Sequence, residues 1–241
     1  MSGVKKVLDQ YISTQPYESP ARASRHHLDG YEAKFGPFLP AERGAAIVDV
    51  GVGMGYFLQF LEGKGYANLA GVDVGVESVT AARSTTRATI EAVDDYRPYF
   101  TARRGHFDLI SILGVLEHLP KAGIIDTLAA FHEGLRPGGM LLISTENGAC
   151  YNAGWGRYID FTHELAFTER SLYQVLRVAG FRDILIYEER PPFAWRPKRL
   201  AWLAARAAWN ALLRTANRIQ FGVEAPRIIS QIILAAARKD A

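Results

Sequence analysis

The stretch Ala46-Ile47-Val48-Asp49-Val50-Gly51-Val52-Gly53-Met54-Gly55-Tyr56-Phe57-Leu58 decides the fold. Ile47 to Val50 is β-branched and almost uninterrupted, the pattern of a parallel strand buried on both faces. Gly51, Gly53 and Gly55 then let the backbone turn sharply and approach a ligand with no Cβ in the way, and the amides of the next helix lie behind them. Tyr56 to Glu62 has helical spacing, and Gly63 to Gly65 ends it. The stretch reads as strand, tight loop and helix, with a nucleotide-like ligand at the loop.

The third glycine departs from the dinucleotide fingerprint, which wants a glycine where Tyr56 stands. A second signal lies downstream. Leu69-Ala70-Gly71-Val72-Asp73-Val74 is a strand ending in an acid, where a ribose would lie if the ligand spans the first two strands. Ala88 to Val93 is a third strand, followed by Asp94 and Asp95, and Phe107 to Leu113 is a fourth, leading into Gly114-Val115-Leu116-Glu117-His118-Leu119-Pro120. Helices are expected over Glu77 to Ser84 and Ile124 to Glu133, and the turn Leu135-Arg136-Pro137-Gly138-Gly139 leads into a fifth strand, Met140 to Ser144.

D-x-G-x-G-x-G, the acid-terminated second strand, F-D-L-I-x-x-x-x-V-L-E-H-L and L-R-P-G-G together resemble the class I S-adenosylmethionine (SAM) dependent methyltransferases. The resemblance implies an α/β, Rossmann-like, seven-stranded, mostly parallel sheet, with the last strand antiparallel and helices on both faces. SAM is the implied cofactor. Gly51, Gly53 and Gly55 would border its methionine part, Asp73 would hold both ribose hydroxyls, and Asp49 would support the loop. Either Asp94 or Asp95 would accept from the adenine amino group, and Leu113 would border the cofactor at the end of the fourth strand. Glu117 and His118 fall near the reaction zone, where His118 is either a proton acceptor or a hydrogen-bonding residue below the cofactor.

Residues 146–164 form a long polar and aromatic loop at the ligand end of the sheet, the best place for an acceptor. Within it, R-Y-I-D-F-T-H-E-L-A-F-T from Arg157 to Thr168 resembles a segment of methyltransferases found with bacterial surface-polysaccharide enzymes. That resemblance implies O-methylation of a sugar hydroxyl in surface glycan or lipopolysaccharide assembly. Asn147, Tyr151, Trp155, Tyr158 and Glu164 supply the aromatic faces and hydrogen-bonding groups that sugars use. His163 is the first choice of general base, with Asp160 or Glu164 orienting it, although Asp160, Thr162 and His163 can equally brace the loop through one another. Asp160, His163 and Glu164 are too close in the chain to converge on one ion, so no metal is expected. Two alternatives stay open: methylation of a small lipid-soluble, quinone-like metabolite, and a noncatalytic SAM-binding partner protein.

The chain of 241 residues, 49% hydrophobic and 22% charged, is read as one domain over 1–241. Residues 1–44 would be a helical cap or lid, with helices near Val4 to Ile12 and His27 to Phe35, and Tyr17, Arg25, His26 and His27 are candidates to face the acceptor. Thr168 caps a helix through Ala179, and Arg182 to Glu188 and Arg227 to Ala235 form the terminal strand pair. Between them, 191–223 is a basic amphipathic helical insertion with no Asp or Glu from Pro191 to Val223. Arg199, Arg206, Asn210 and Asn217 share one helix face, with Trp202, Trp209, Leu212, Leu213 and Ile219 broadly opposite. Residues 195–220 would meet an anionic membrane, pack on their own domain or make a homodimer. A net charge of only +3 argues against a nucleic-acid partner. One cysteine, Cys150, and no apolar leader point to the cytoplasm, with the inner membrane face as the docking place.

Overall fold

The structure is a computed structural model describing residues 3–14, 28, 30–189 and 197–240, with 197–199 and 224 for their backbone only. Seven strands form one sheet in the order β3-β2-β1-β4-β5-β7-β6. β1 (Ile47–Val50), β2 (Leu69–Asp73), β3 (Thr89–Ala92), β4 (Phe107–Leu113) and β5 (Leu135–Glu146) run parallel. β7 (Ile232–Arg238) is antiparallel to both β5 and β6 (Arg182–Glu188).

Alternation along the central strands feeds two cores. Val48, Val50, Ile110, Ile112, Leu141 and Ile143 pack on one face under α5 (Tyr96–Thr101), α6 (Ile124–Gly134) and α8 (Glu169–Val178). Ile47, Leu109 and Leu142 point to the other, under α2 (residues 30–35), α3 (Tyr56–Gly63) and α4 (Val76–Thr85). A sheet covered on both faces accounts for the continuous apolar runs. β1 has β2 on one side and β4 on the other, so the strand order reverses there, and the crevice beyond their carboxyl ends is where ligands collect.

Several features differ from expectation, and β5 starts at Leu135, not Met140, taking in the Leu135–Gly139 turn. The last strand starts at Ile232, not Arg227, because the preceding segment bends to give its carbonyls to Asn147: Nδ2 donates to Ile228 O and Ser230 O, and the backbone amide donates to Gln231 O. α5 was not anticipated; Asp95 caps it by accepting from the Arg97 amide at 2.9 Å. The 146–164 loop contains α7 (Ala153–Tyr158).

At the N-terminus, α1 (Gly3–Asp9) lies across the end of β2, with Lys5 Nζ donating to Val74 O and the Ser13 amide to Glu77 Oε2. Tyr17, Arg25, His26 and His27 lie outside the described residues. The insertion contains α9 (Pro197–Phe221).

Candidate active site

Beyond β1, β2 and β4 lies a cavity of about 360 Å³ whose lining includes Gly51, Gly53, Asp73, Asp94, Asp95, Tyr96, Gly114 and His118, with Lys5, Leu8 and Tyr11 from the N-terminal segment. Gly51 and Gly53 have φ of 68° and 50°, which side-chain-bearing residues rarely adopt. A Cβ on Gly53 would meet nothing within 4 Å, whereas one on Gly51 would lie 2.2 Å from Val115 Cγ2. Gly53 is thus open for ligand approach, and Gly51 permits the glycine loop to close on β4. Gly55, at φ 76°, does not line the cavity; its bareness makes room for Thr85 and Thr86 at the end of α4.

Asp73 is the centre of the loop. Oδ2 accepts from the Gly53 amide at 3.0 Å and Oδ1 from the Gly75 amide at 2.7 Å. Burial raises its pKa, and those two amides oppose the rise. Asp49 sits underneath, directly opposite Ser111 in the β1–β4 register, and accepts from Ser111 Oγ at 2.6 Å. Burial pushes the Asp49 carboxyl up to about 7, the Ser111 bond opposes this, and the Asp73 charge adds to it.

Of the two acids after β3, Asp95 is engaged by its cap and by Arg97, which pairs with it at 2.5 Å. Asp94 is exposed and has no hydrogen bond or ion pair among the described residues, so it is the acid available to a ligand. Leu113 instead packs into the core beside β1, and Gly114, in a left-handed conformation, takes the place at the cavity wall. The glycine cradle, the inward carboxylate of Asp73 and the available Asp94 fit a nucleoside with a polar tail.

At the far end the loop folds back onto the β4 turn. Glu164 N and Leu165 N both donate to Glu117 O, at 2.8 and 3.2 Å, which brings Thr162 and His163 against Glu117 and His118. The two imidazole centroids are 4.6 Å apart in an edge-on arrangement. His118 Nδ1 meets Thr162 Oγ1 at 2.7 Å, while that hydroxyl donates to Asp160 Oδ1 at 2.6 Å. The hydroxyl hydrogen is therefore committed, and Nδ1 of His118 must be the donor to it. His163 Nδ1 donates to Gly156 O at 2.8 Å, so in the neutral ring Nε2 is the nitrogen with the lone pair. Burial, then the neighbouring His163, lower His118 to about 4, so it is neutral at ordinary pH. Glu117 is buried, accepts from Thr145 Oγ1 at 2.9 Å, and is pushed up to about 7 by burial. Burial also raises Asp160, but the Thr162 and Tyr11 hydrogen bonds outweigh it and leave that carboxyl below the usual range.

The expected acceptor residues do not gather around this cavity. Asn147 is buried with its amide engaged by Ile228 O, Ser230 O and the Ala149 amide, so it braces the loop and does not face an acceptor. Tyr151, Trp155 and Tyr158 are at the surface, as is Glu164, and none lines the cavity. Asp160 orients through Thr162 and reaches His118, not His163. Exposed Glu164 does not join His163 around an ion; Glu117, His118 and His163 do converge, their ligand atoms all lying within 4.8 Å of one another. The expectation of no metal rested on the loop trio alone.

Tyr11, which hydrogen-bonds Asp160 and stacks edge-on against His118 at 5.8 Å, was missed, as was Thr145; Thr162, read only as a loop brace with Asp160, makes that bond and also meets His118. Burial, then Asp160, raise the Tyr11 hydroxyl above its ordinary value. Nothing in the spacing of Tyr11 marks it, because its partners are distant in sequence.

The family described as "Methyltransferase domain" matches residues 24–186. A ubiquinone biosynthesis O-methyltransferase of Pseudomonas aeruginosa is 33% identical over 110 residues, which is 43% of this chain and 45% of that protein. The chain thus matches less than half the length of that curated relative. Among solved structures, a SAM-dependent methyltransferase from Archaeoglobus fulgidus superposes with a TM-score of 0.67 at 20% identity, over 90% of this chain and 96% of that one. Phosphoethanolamine N-methyltransferase 2 of Haemonchus contortus, in complex with SAM, gives 0.66 at 17% identity, over 100% of this chain and 61% of that one. These two likenesses are of fold. With the glycine cradle, the acid-terminated second strand and the strand order already described, they make the chain a member of the methyltransferase-domain family, built on the class I SAM-dependent methyltransferase fold.

Proposed function

We propose that the chain transfers a methyl group from SAM to a hydroxyl of a lipid-soluble phenolic acceptor, which it meets at an anionic membrane surface. The observation that carries the chemistry is the continuity of the cavity from Asp73 and the glycine loop to His118, a neutral imidazole with its lone pair on Nε2 and the His163 ring 4.6 Å away. SAM, when bound, supplies a methyl group on a sulfonium centre. The chain's part is alignment and proton handling. Asp73 and Asp94 offer acceptors for hydroxyl and amino groups, and the loop amides fix the depth of the ligand. Either imidazole can take the hydroxyl proton at Nε2, while Thr162 and Gly156 O hold the rings in the required tautomers.

The acceptor class is supported by the quinone-pathway relatives and by α9. That helix turns a half-buried stripe, Leu203, Arg206, Asn210, Leu213 and Asn217, toward the protein. Leu200, Trp202, Trp209, Leu212 and Ile219 are exposed, and there is no acid anywhere in the helix. A helix that presents tryptophans, aliphatics and Arg218 outward, beside an exposed Arg214 that pairs with Glu188 at 2.7 Å, suits an anionic interface. Tyr151 of the acceptor loop packs edge-on against Trp209 at 5.5 Å, so the membrane face and the loop are continuous.

A sugar hydroxyl is the second reading, favoured by the Arg157–Thr168 motif and by the exposed Tyr151, Trp155, Tyr158 and Phe161. Methyl-labelled SAM incubated with the chain and an extract of source cells separates them, with Asp73→Ala as control. Label in lipid that survives acid hydrolysis as an aromatic ether supports the phenolic acceptor. Label released as a methylated sugar supports the second reading, and no label above control makes the chain a noncatalytic SAM-binding protein.

A further inference from the structure

We propose that Glu117, His118 and His163 form a binding site for a divalent cation of the zinc class, at the end of the cavity where an acceptor hydroxyl would lie. The role given to the ion rests on the hydroxyl-methylation reading; its binding does not.

The argument starts from the tautomers. Both Nδ1 atoms are donors in fixed hydrogen bonds, to Thr162 Oγ1 at 2.7 Å and to Gly156 O at 2.8 Å. In the neutral rings Nε2 is consequently the lone-pair nitrogen of each, and the ring centroids are 4.6 Å apart. Glu117 adds a buried carboxylate, with Oε2 held by Thr145 and a ligand atom within 4.8 Å of both imidazoles. Three electron-pair donors facing one another call for a cation.

The surrounding contacts have the form that metal-binding histidines require. A ligating imidazole donates its other N–H to a carbonyl or to a chain ending in a carboxylate, which fixes the ring and raises its basicity. His163 uses the carbonyl of Gly156, and His118 uses Thr162 and then Asp160. Two imidazoles and one carboxylate are a donor set suited to Zn²⁺ and its neighbours in the first transition row, and His118, which lines the cavity, is the ligand through which a fourth position would meet it. An ion bonded at about 2.1 Å holds its ligand atoms roughly 3–4 Å apart. The present spread of up to 4.8 Å therefore closes by about 1 Å through side-chain rotation.

The fourth position accepts an oxygen of the acceptor. With the ion bound this route would replace proton transfer to an imidazole: coordination would stabilise the oxyanion, and the hydroxyl proton would be released to solvent water while both imidazoles remain ligands. No redox change and no co-reactant are needed.

The test uses the whole chain, stripped with a chelator and titrated with CoCl₂, with ZnCl₂ as competitor. One equivalent of Co²⁺ should develop the visible bands of a low-coordinate nitrogen–oxygen site and be displaced by Zn²⁺. Glu117→Gln and His163→Gln, which keep approximate shape, should each weaken binding by more than about 100-fold. Thr162→Val, which touches the cation only through His118, should cost about 10–100-fold. Absence of the bands, or equal affinity in all four proteins, would overturn the site. Calorimetric SAM binding on the same samples keeps the two ideas apart. SAM bound without Co²⁺ removes the cation site and leaves the methylation reading, whereas Co²⁺ bound without transfer to any hydroxyl does the reverse.

Discussion

Asp49 lies at the bottom of the glycine loop, where burial pushes its carboxyl from 3.8 to about 7. The folded chain holds a proton that the unfolded chain gives up, so this group's contribution to stability is complete below about pH 4 and is lost as pH rises through about 7. Glu117, raised from 4.5 to about 7 by burial, acts in the same direction. Thermal unfolding followed over this range should show Asp49→Asn less sensitive to pH than the parent; parallel pH profiles would mean that Asp49 is not buried as a proton holder. Asp49, Gly51, Gly53 and Asp73 were legible in the sequence because their demands are local: a bare backbone at a sharp turn, and an acid at the end of a strand. Tyr11, Thr145 and the contact of Thr162 with His118 were not, since each joins partners distant in the chain, 28 residues apart for Thr145–Glu117 and 44 for Thr162–His118. Asn147 misled because a polar residue in an acceptor loop and a polar residue bracing that loop look alike until its three partners are seen.

Among the elements, the glycine loop and the β4 turn are packed against each other at Gly51 and Val115, where an added methyl would sit 2.2 Å from Val115 Cγ2. Gly51→Ala combines that clash with a left-handed φ and should destabilise by about 2–4 kcal/mol. Denaturant titration of Gly51→Ala with and without Val115→Ala checks it: the second change should recover the steric part only, and full independence of the two would deny the contact. α9 invites the opposite expectation. Trp202→Ala and Trp209→Ala remove exposed side chains, so the pair should change stability little while reducing sedimentation with phosphatidylglycerol vesicles several-fold. Unchanged sedimentation, or a concentration-dependent monomer–dimer shift lost in the variant, would assign the face to a second copy. The helix was visible in the sequence by its spacing and its lack of acids. Which side turned outward was not, because polar and apolar residues both occur on the stripe that meets the protein. β7 began five residues later than its apolar run suggested, since Ile228 and Ile229 are buried in a bend with no ladder partner.

For the molecule as a whole, the strand order places the glycine loop, Asp73, Asp94 and His118 along one crevice, and the returning loop sets buried His163 behind His118. The alternation of strands and helices made that order readable, because each β–α unit carries its own hydrophobic pattern and turn. The acceptor end was less readable, as it is assembled from the N-terminal segment, the β4 turn and the post-β5 loop together. This division predicts separate functions for the two ends: one holds the cofactor and the other acts on the acceptor. Isothermal titration of SAM into the full chain, Asp73→Ala and His163→Ala measures that division directly. The account predicts one SAM site in the parent, binding weakened about tenfold or more in Asp73→Ala through loss of two or more hydrogen bonds, and near-parental affinity in His163→Ala. Undiminished binding in Asp73→Ala, or equal loss in both variants, would contradict it.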